Sequence, residues 1–150
     1  MGIFDFLKGK NSGNENKANI VTSCPPPEFE DKCSLADLNT PSIRDQLVLL
    51  LIAKTGMNNP RNLGLRLDRC DFPGNEGKSV SNLVDSKLVY FSIINGFGHP
   101  IQYAVTNLGE EFLKSHIAYD AVIDHIKQMQ NPDVILDSVL AIFKKTRSEL

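Results

Sequence analysis

Tryptophan is absent from this 150-residue sequence, cysteine is scarce, and long hydrophobic runs are missing. The three cysteines, Cys24, Cys33 and Cys70, lack CxxC spacing and therefore indicate neither a disulfide framework nor a zinc site. No apolar run approaches the roughly 18–20 residues that span a bilayer, and the N-terminus lacks the apolar core of a signal peptide. These absences predict a cytoplasmic protein without an integral membrane segment.

A strong charge of either sign is also missing. The formal net charge of −2 argues against a uniformly basic nucleic-acid binder, although it leaves room for a local basic patch. Residues 1–39 hold four basic and six acidic side chains, residues 40–106 hold seven and five, and residues 107–150 hold five and seven. The central segment is therefore the positively charged one.

Motifs of familiar enzyme classes are lacking as well: the sequence has no phosphate-binding glycine loop, no GxSxG and no HExxH. His116, Asp120 and Asp124 have the spacing of one helix face, but isolated histidine–carboxylate pairs are more often ordinary hydrogen bonds than metal ligands. We therefore expect no enzyme activity, no cofactor and no metal. Cys70 is interpreted as a small buried side chain at a helix end, with a redox-sensing thiol as the alternative.

The first 39 residues differ in composition from the rest of the chain. Residues 9–17 are polar, and the Pro25-Pro26-Pro27 run favours an extended backbone. Residues 1–39 are therefore predicted to form an N-terminal arm that is partly disordered, with one helical turn at residues 33–38. The apolar cluster in residues 1–8 is interpreted as a loosely docked terminus, the alternative being a contact with a membrane or a partner.

Capping residues and helical spacing predict three helices after the arm. Thr40-Pro41 is expected to begin a buried core helix, which Gly56 ends. Asn59-Pro60 repeats the same start for a second helix, and a third fits residues 75–87.

A change of period then predicts a β-hairpin. Residues 89–94 and 101–106 are β-branched and aromatic, and an Asn-Gly loop joins them. Asn107 with Glu110 is expected to cap a helix over 108–129, and Asn131-Pro132 a last helix over 132–147. The predicted fold class is therefore α+β, mostly helical with one small hairpin.

Two passages carry a more specific pattern. Ser79-Val80-Ser81-Asn82-Leu83-Val84-Asp85-Ser86-Lys87-Leu88-Val89 leads into the hairpin, and Val105-Thr106-Asn107-Leu108-Gly109 leads out of it. This resembles the core of MarR-like and PadR-like bacterial regulators, in which a Thr-x-x-Gly step follows the wing. The resemblance implies a winged helix-turn-helix over residues 40–113 and a C-terminal helical extension over 114–150. Those families often have glycine where this chain has Lys87, and basic residues in the wing, where this loop has none.

The resemblance also implies a function, that of a transcriptional regulator which binds double-stranded DNA. Asparagine and serine side chains can read base edges, and lysine and arginine contact phosphates. Glu76 and Asp85 on the same third helix would repel the DNA backbone. The residues expected to face the groove are Asn75, Lys78, Ser79, Ser81 and Asn82, and those expected to grip phosphates are Arg61, Arg66 and Arg69.

Two further hypotheses concern protein partners. A lightly charged winged helix also suits a protein–protein interaction module without DNA binding, with the proline-rich arm and the apolar N-terminal cluster as contact elements. The many apolar positions of the last helix suggest a homodimer formed through the C-terminal helices.

Overall fold

The computed structural model describes residues 17, 19–27, 34–70 and 76–150. Its elements are β1 (Val21–Ser23), a 3₁₀ helix (Leu35–Asp37), α1 (Ile43–Lys54), α2 (Pro60–Asp68), α3 (Glu76–Asp85), β2 (Val89–Asn95), β3 (Pro100–Val105), α4 (Asn107–Ser115), α5 (Tyr119–Lys127), α6 (Asp133–Ile142) and a 3₁₀ helix (Arg147–Glu149). The α+β, mostly helical class is confirmed. None of the helices in this described part has the length and apolar character needed to cross a membrane.

Helix α1 forms the centre of the core. Every residue from Leu47 to Ile52 is at most 4% exposed, so the helix is buried on all sides, as its composition predicts. It contacts α3, α5, α6 and β3. Because burying one leucine side chain contributes about 1.5 to 3 kcal/mol, the burial of this helix is a large contribution to the stability of the fold.

Two buried polar side chains of α1 connect it to distant segments. The side chain of Gln46 is 1% exposed; its Nε2 donates to the Pro41 carbonyl at 3.0 Å, and its Oε1 accepts from the Ala118 amide at 2.9 Å. Asp45 Oδ2 accepts from Asn82 Nδ2 at 3.2 Å. Since a buried polar group needs a partner, these bonds fix α3 and the start of α5 against α1.

The predicted helix starts were right for α2 and wrong for α1. Asn59 caps α2, its side chain accepting from the Asn62 amide at 2.9 Å, with Pro60 in the first turn. Helix α1 begins two residues later than Thr40-Pro41 predicts, because Ser42 is the residue whose hydroxyl accepts from the Asp45 amide. Gly56 follows the end of α1 with φ of +73°, which confirms it as the stop.

The sheet contains the predicted hairpin and a strand that the sequence did not indicate. Strands β2 and β3 pair antiparallel, with Val89 opposite Val105. In the loop, Asn95 Oδ1 accepts from the amides of Phe97 and His99.

Strand β1, part of the arm, pairs antiparallel with β2, so part of residues 1–39 belongs to the sheet. The apolar cluster in residues 1–8 lies outside the described residues, and the partial disorder expected for residues 1–39 stays a prediction.

Thr106 joins the end of the hairpin to the end of α3. Its hydroxyl donates to the Lys87 carbonyl at 2.6 Å and accepts from the Gly109 amide at 3.0 Å, while its own amide donates to the Leu88 carbonyl at 3.0 Å. Thr106, and not the predicted Asn107, is therefore the N-cap of α4. We call these three hydrogen bonds the Thr106 clamp.

Two residues beside the Thr106 clamp have unusual steric requirements. A Cβ atom on Gly109 would overlap the Leu88 carbonyl oxygen. The glycine of the Thr-x-x-Gly step therefore lets α4 lie close to the backbone at Leu88. Lys87 has φ of +65°, a left-handed conformation that favours glycine.

The C-terminal region departs most from expectation. The single helix predicted over 108–129 is wrong: the chain bends between Ser115 and Tyr119, where the Ala118 amide bonds to Gln46, and α4 and α5 are separate helices. The last helix ends at Ile142 and not near residue 147, since Lys144 has φ of +56°. Pro132 occupies the N-cap of α6, and the Asn131 side chain instead donates to the Arg69 carbonyl at 2.7 Å.

The apolar side chains of α6 are buried within the chain. Ile135, Leu136, Val139 and Leu140 are between 0% and 6% exposed. These positions suggested a homodimer, but they pack against the chain's own core. A homodimer formed through α6 would therefore have to use other side chains.

Prediction for His125. Burial on α5 lowers the pKa of His125, and the positive charge of Arg44 on α1 lowers it further. The unfolded chain, with an ordinary histidine pKa of about 6.5, then binds more protons than the folded one, so acid favours unfolding. We expect the free energy of unfolding to fall as the pH drops below about 6.5. Urea unfolding from pH 7.5 to 5 checks this; an equally steep fall in His125→Gln would refute it.

Prediction for Gly109. The substitution Gly109→Ala should lower the free energy of unfolding by about 3 kcal/mol, because the added methyl group meets backbone that cannot move away cheaply. The matched control is Gly77→Ala on α3, where a Cβ meets nothing within 4 Å. That change should raise stability by about 0.5 to 1 kcal/mol. Urea denaturation of both variants is the measurement, and equal effects would contradict the packing argument.

Candidate nucleic-acid interface

Helix α3 presents a polar face to solvent. Lys78, Ser81 and Asn82 are exposed, and their spacing of three and four residues places them on one side. Val80 and Leu83, at 3% and 0% exposure, hold the opposite side in the core. Three of the five side chains expected to face a DNA groove are thus on a common surface, which we call the α3 face. Asn75, the fourth, lies outside the described residues.

Ser79, the fifth side chain expected to face a DNA groove, is buried instead. It is 2% exposed, because it lies beside Val80 on the side of α3 that packs inward. A side chain buried this far cannot reach a base edge, so the expectation that Ser79 faces solvent is wrong. Its small size suits close packing between helices.

The orientation of Asn82 is fixed by a buried carboxylate. Asp45 is 6% exposed, and its Oδ2 accepts from Asn82 Nδ2 at 3.2 Å. The hydrogen bond connects the α3 face directly to the core helix α1. Holding a side chain in one rotamer before a ligand arrives lowers the entropic cost of binding. The sequence gave no indication of this contact, since the two residues are 37 positions apart.

Glu76 points away from the α3 face. Its Oε1 lies 3.2 Å from the position that a Cβ on Gly64 of α2 would take. Its Oε2 is buried and has no hydrogen-bond partner among the described residues. Its negative charge adds to burial in raising the pKa of Tyr103. Glu76 is therefore not part of the α3 face, whereas Asp85 is exposed as expected.

The two arginines of α2, Arg61 and Arg66, and Arg69 at its C-cap are all exposed, but they do not share one environment. Arg66 and Arg69 line a groove of about 320 Å³ between α2 and the end of α1, and Arg61 is not among its lining residues. We call this the α2 groove. Arg66 Nη1 also donates to the Val134 carbonyl at 3.3 Å. The structure thus brings two of the three predicted phosphate contacts together.

The arm supplies a cationic residue near the tip of the hairpin, whose loop has none. The Gly96 amide donates to the Lys17 carbonyl at 2.7 Å, and the Lys17 side chain is exposed. Phe97 and His99 follow Gly96 in the loop, and their exposed rings have centroids 6.0 Å apart. Lys17 was missed from the sequence because nothing in the local pattern predicts the pairing of β1 with β2.

The alternative chemical sites considered from the sequence are not assembled. In the part of the chain that the structure describes, no group of three or more His, Cys, Asp or Glu side chains has metal-binding geometry. His116 ends α4, whereas Asp120 and Asp124 belong to α5, so the helical spacing that linked them is interrupted. Cys70 is fully buried, and burial raises its thiol pKa, which disfavours the reactive thiolate.

Comparison with known proteins found no match to this chain, either among family models, among curated proteins or among solved structures.

Proposed function

We propose that this chain is a winged-helix DNA-binding protein, with α3 as the recognition helix and the β2–β3 hairpin as the wing. The observation that carries the proposal is the α3 face, on which Lys78, Ser81 and Asn82 are exposed while Glu76 is turned toward α2. The element order supports it: two helices precede α3, and an antiparallel hairpin follows directly. This is the order of a winged helix-turn-helix.

The proposed contacts divide by chemistry. Ser81 and Asn82 carry the hydrogen-bonding groups that read base edges in the major groove, and Lys78 contacts guanine or phosphate. Arg61 and Arg66 on the preceding helix and Arg69 at its C-cap are exposed and contact the phosphate backbone. We further propose that residues 40–113 form the DNA-binding unit and that residues 114–150 support it. The role in the cell would then be transcriptional regulation.

One observation favours a second function, that of a protein–protein interaction module. Four large apolar side chains, Ile20, Val21, Phe97 and Ile101, are 40% to 58% exposed, and all lie at the same end of the three-stranded sheet. Exposed apolar side chains gathered at one end of an element are typical of many interaction surfaces. If the chain does not bind DNA, this end of the sheet is the surface from which a partner search should begin.

The test of DNA binding is the anisotropy of a labelled, mixed-sequence duplex titrated with the protein at low salt and then at higher salt. Non-specific binding should give a Kd of about 10⁻⁴ to 10⁻⁶ M at physiological salt and tighter values below it, since released counterions drive association. Absence of binding at low salt would contradict the proposal and leave the interaction module as the leading function.

Prediction for Lys78. The substitution Lys78→Ala should weaken duplex binding and reduce the slope of log K against log salt by about one, because one phosphate contact is removed. The matched control is Lys127→Ala, an equal loss of charge at an exposed position on α5, outside the proposed DNA-binding unit. The control should bind as the unchanged protein does. Equal losses in both variants would mean that net charge, and not the α3 face, determines binding.

A further inference from the structure

The α2 groove has a volume within the range of small-molecule sites. Its volume of about 320 Å³ lies at the lower end of the range of about 300–1,000 Å³ typical of ligand pockets. It is formed where the chain leaves the end of α1 through Gly56 and turns back into α2. A Cβ placed on Gly56 meets nothing within 4 Å, so the groove is open at this residue.

Its polar side is positively charged. Arg66, Arg69 and Asn62 contribute two guanidinium groups and one amide, and no carboxylate is among the described residues that line the groove. A guanidinium group donates parallel hydrogen bonds that match the oxygens of a carboxylate or phosphate. The polar side therefore suits an anionic group.

This polar side is also held in place by the C-terminal region. Arg66 Nη1 donates to the Val134 carbonyl at 3.3 Å, and the Arg69 carbonyl accepts from Asn131 Nδ2 at 2.7 Å. Next to them, the buried Cys70 thiol donates to the Asn131 carbonyl at 3.4 Å. Three contacts thus fix the end of α2, so that a ligand meets arginines whose backbone is already ordered.

The other side of the groove is apolar. Met57 is 6% exposed and forms part of the core, whereas Leu65 is 55% exposed although it is a large hydrophobic residue in the middle of a helix. A phosphate group alone would leave Leu65 in water. A ligand with an apolar body would cover it and gain about 25 cal/mol for each Å² of apolar surface removed from water.

The geometry points to the α2 groove as a binding site for a small organic anion, a carboxylate or phosphate ester with a short apolar body. The anionic head lies against Arg66 and Arg69, and the apolar body covers Met57 and Leu65. Such binding does not require that the chain binds DNA, so the two proposals stand or fall separately.

The experiment is a titration of the full ¹⁵N-labelled chain with hexanoate, followed by amide chemical shifts. Hexanoate should give saturable shifts at Gly56, Leu65 and Arg69. Hexan-1-ol, which lacks the charge, and inorganic phosphate, which lacks the apolar body, should each bind at least about tenfold more weakly. Absence of saturable shifts with hexanoate would overturn the proposal, and so would equally tight binding of either control compound.

Two arginine variants make the test specific. Arg69→Gln should weaken hexanoate binding by about tenfold, because a hydrogen bond to a charged group is lost. Arg61→Gln makes the same change in the first turn of α2, at an exposed residue that does not line the groove, and should leave binding unchanged. Equal weakening in both would show general charge attraction and overturn the assignment. Leu65→Ala, which shortens the apolar side, should weaken hexanoate binding and leave the weak phosphate binding unaltered.

Discussion

The hydrogen bonds of Thr106 connect α3 to the β2–β3 hairpin, and both elements belong to the candidate interface. One hydroxyl group closes the turn between α3 and β2 through the Lys87 carbonyl and begins α4 through the Gly109 amide. The close approach of Gly109 to Leu88 leaves no space in which this arrangement could loosen. The direction in which α3 presents its polar face is therefore linked to the direction of the hairpin. Asp45 and Gln46 extend the same constraint to α1, so that α3 and α5 are positioned against one buried helix.

Much of the fold could be predicted from local patterns. Capping residues and helical spacing predicted a buried core helix, the Asn59-Pro60 pair predicted the start of α2, and the change to β-branched and aromatic residues predicted the hairpin. What could not be predicted depends on long-range partners. The break between α4 and α5 is stabilised by Gln46, 72 residues before Ala118, and strand β1 exists because β2 offers it an edge.

The candidate interface was predicted less completely than the fold. Helical spacing correctly identified Lys78, Ser81 and Asn82 as a shared surface, but it could not decide on which side Ser79 lies, because small polar residues occur both in cores and on surfaces. The same spacing could not show that Glu76 turns inward or that Arg66 and Arg69 meet in a groove. These depend on how α2 packs against α1 and α3. The position of Lys17 at the hairpin tip follows from the pairing of the arm and has no local signal.

The central claim, that Thr106 fixes the hairpin to α3, is tested most directly by urea denaturation of Thr106→Val beside Thr106→Ser. Valine keeps the shape and removes the hydroxyl, and serine keeps the hydroxyl. The account predicts that valine lowers the free energy of unfolding by about 2 to 3 kcal/mol, because two hydrogen bonds are lost and the Lys87 carbonyl, in a partly buried position, loses a donor, while serine costs about 1 kcal/mol or less. A valine variant as stable as the serine variant would contradict it.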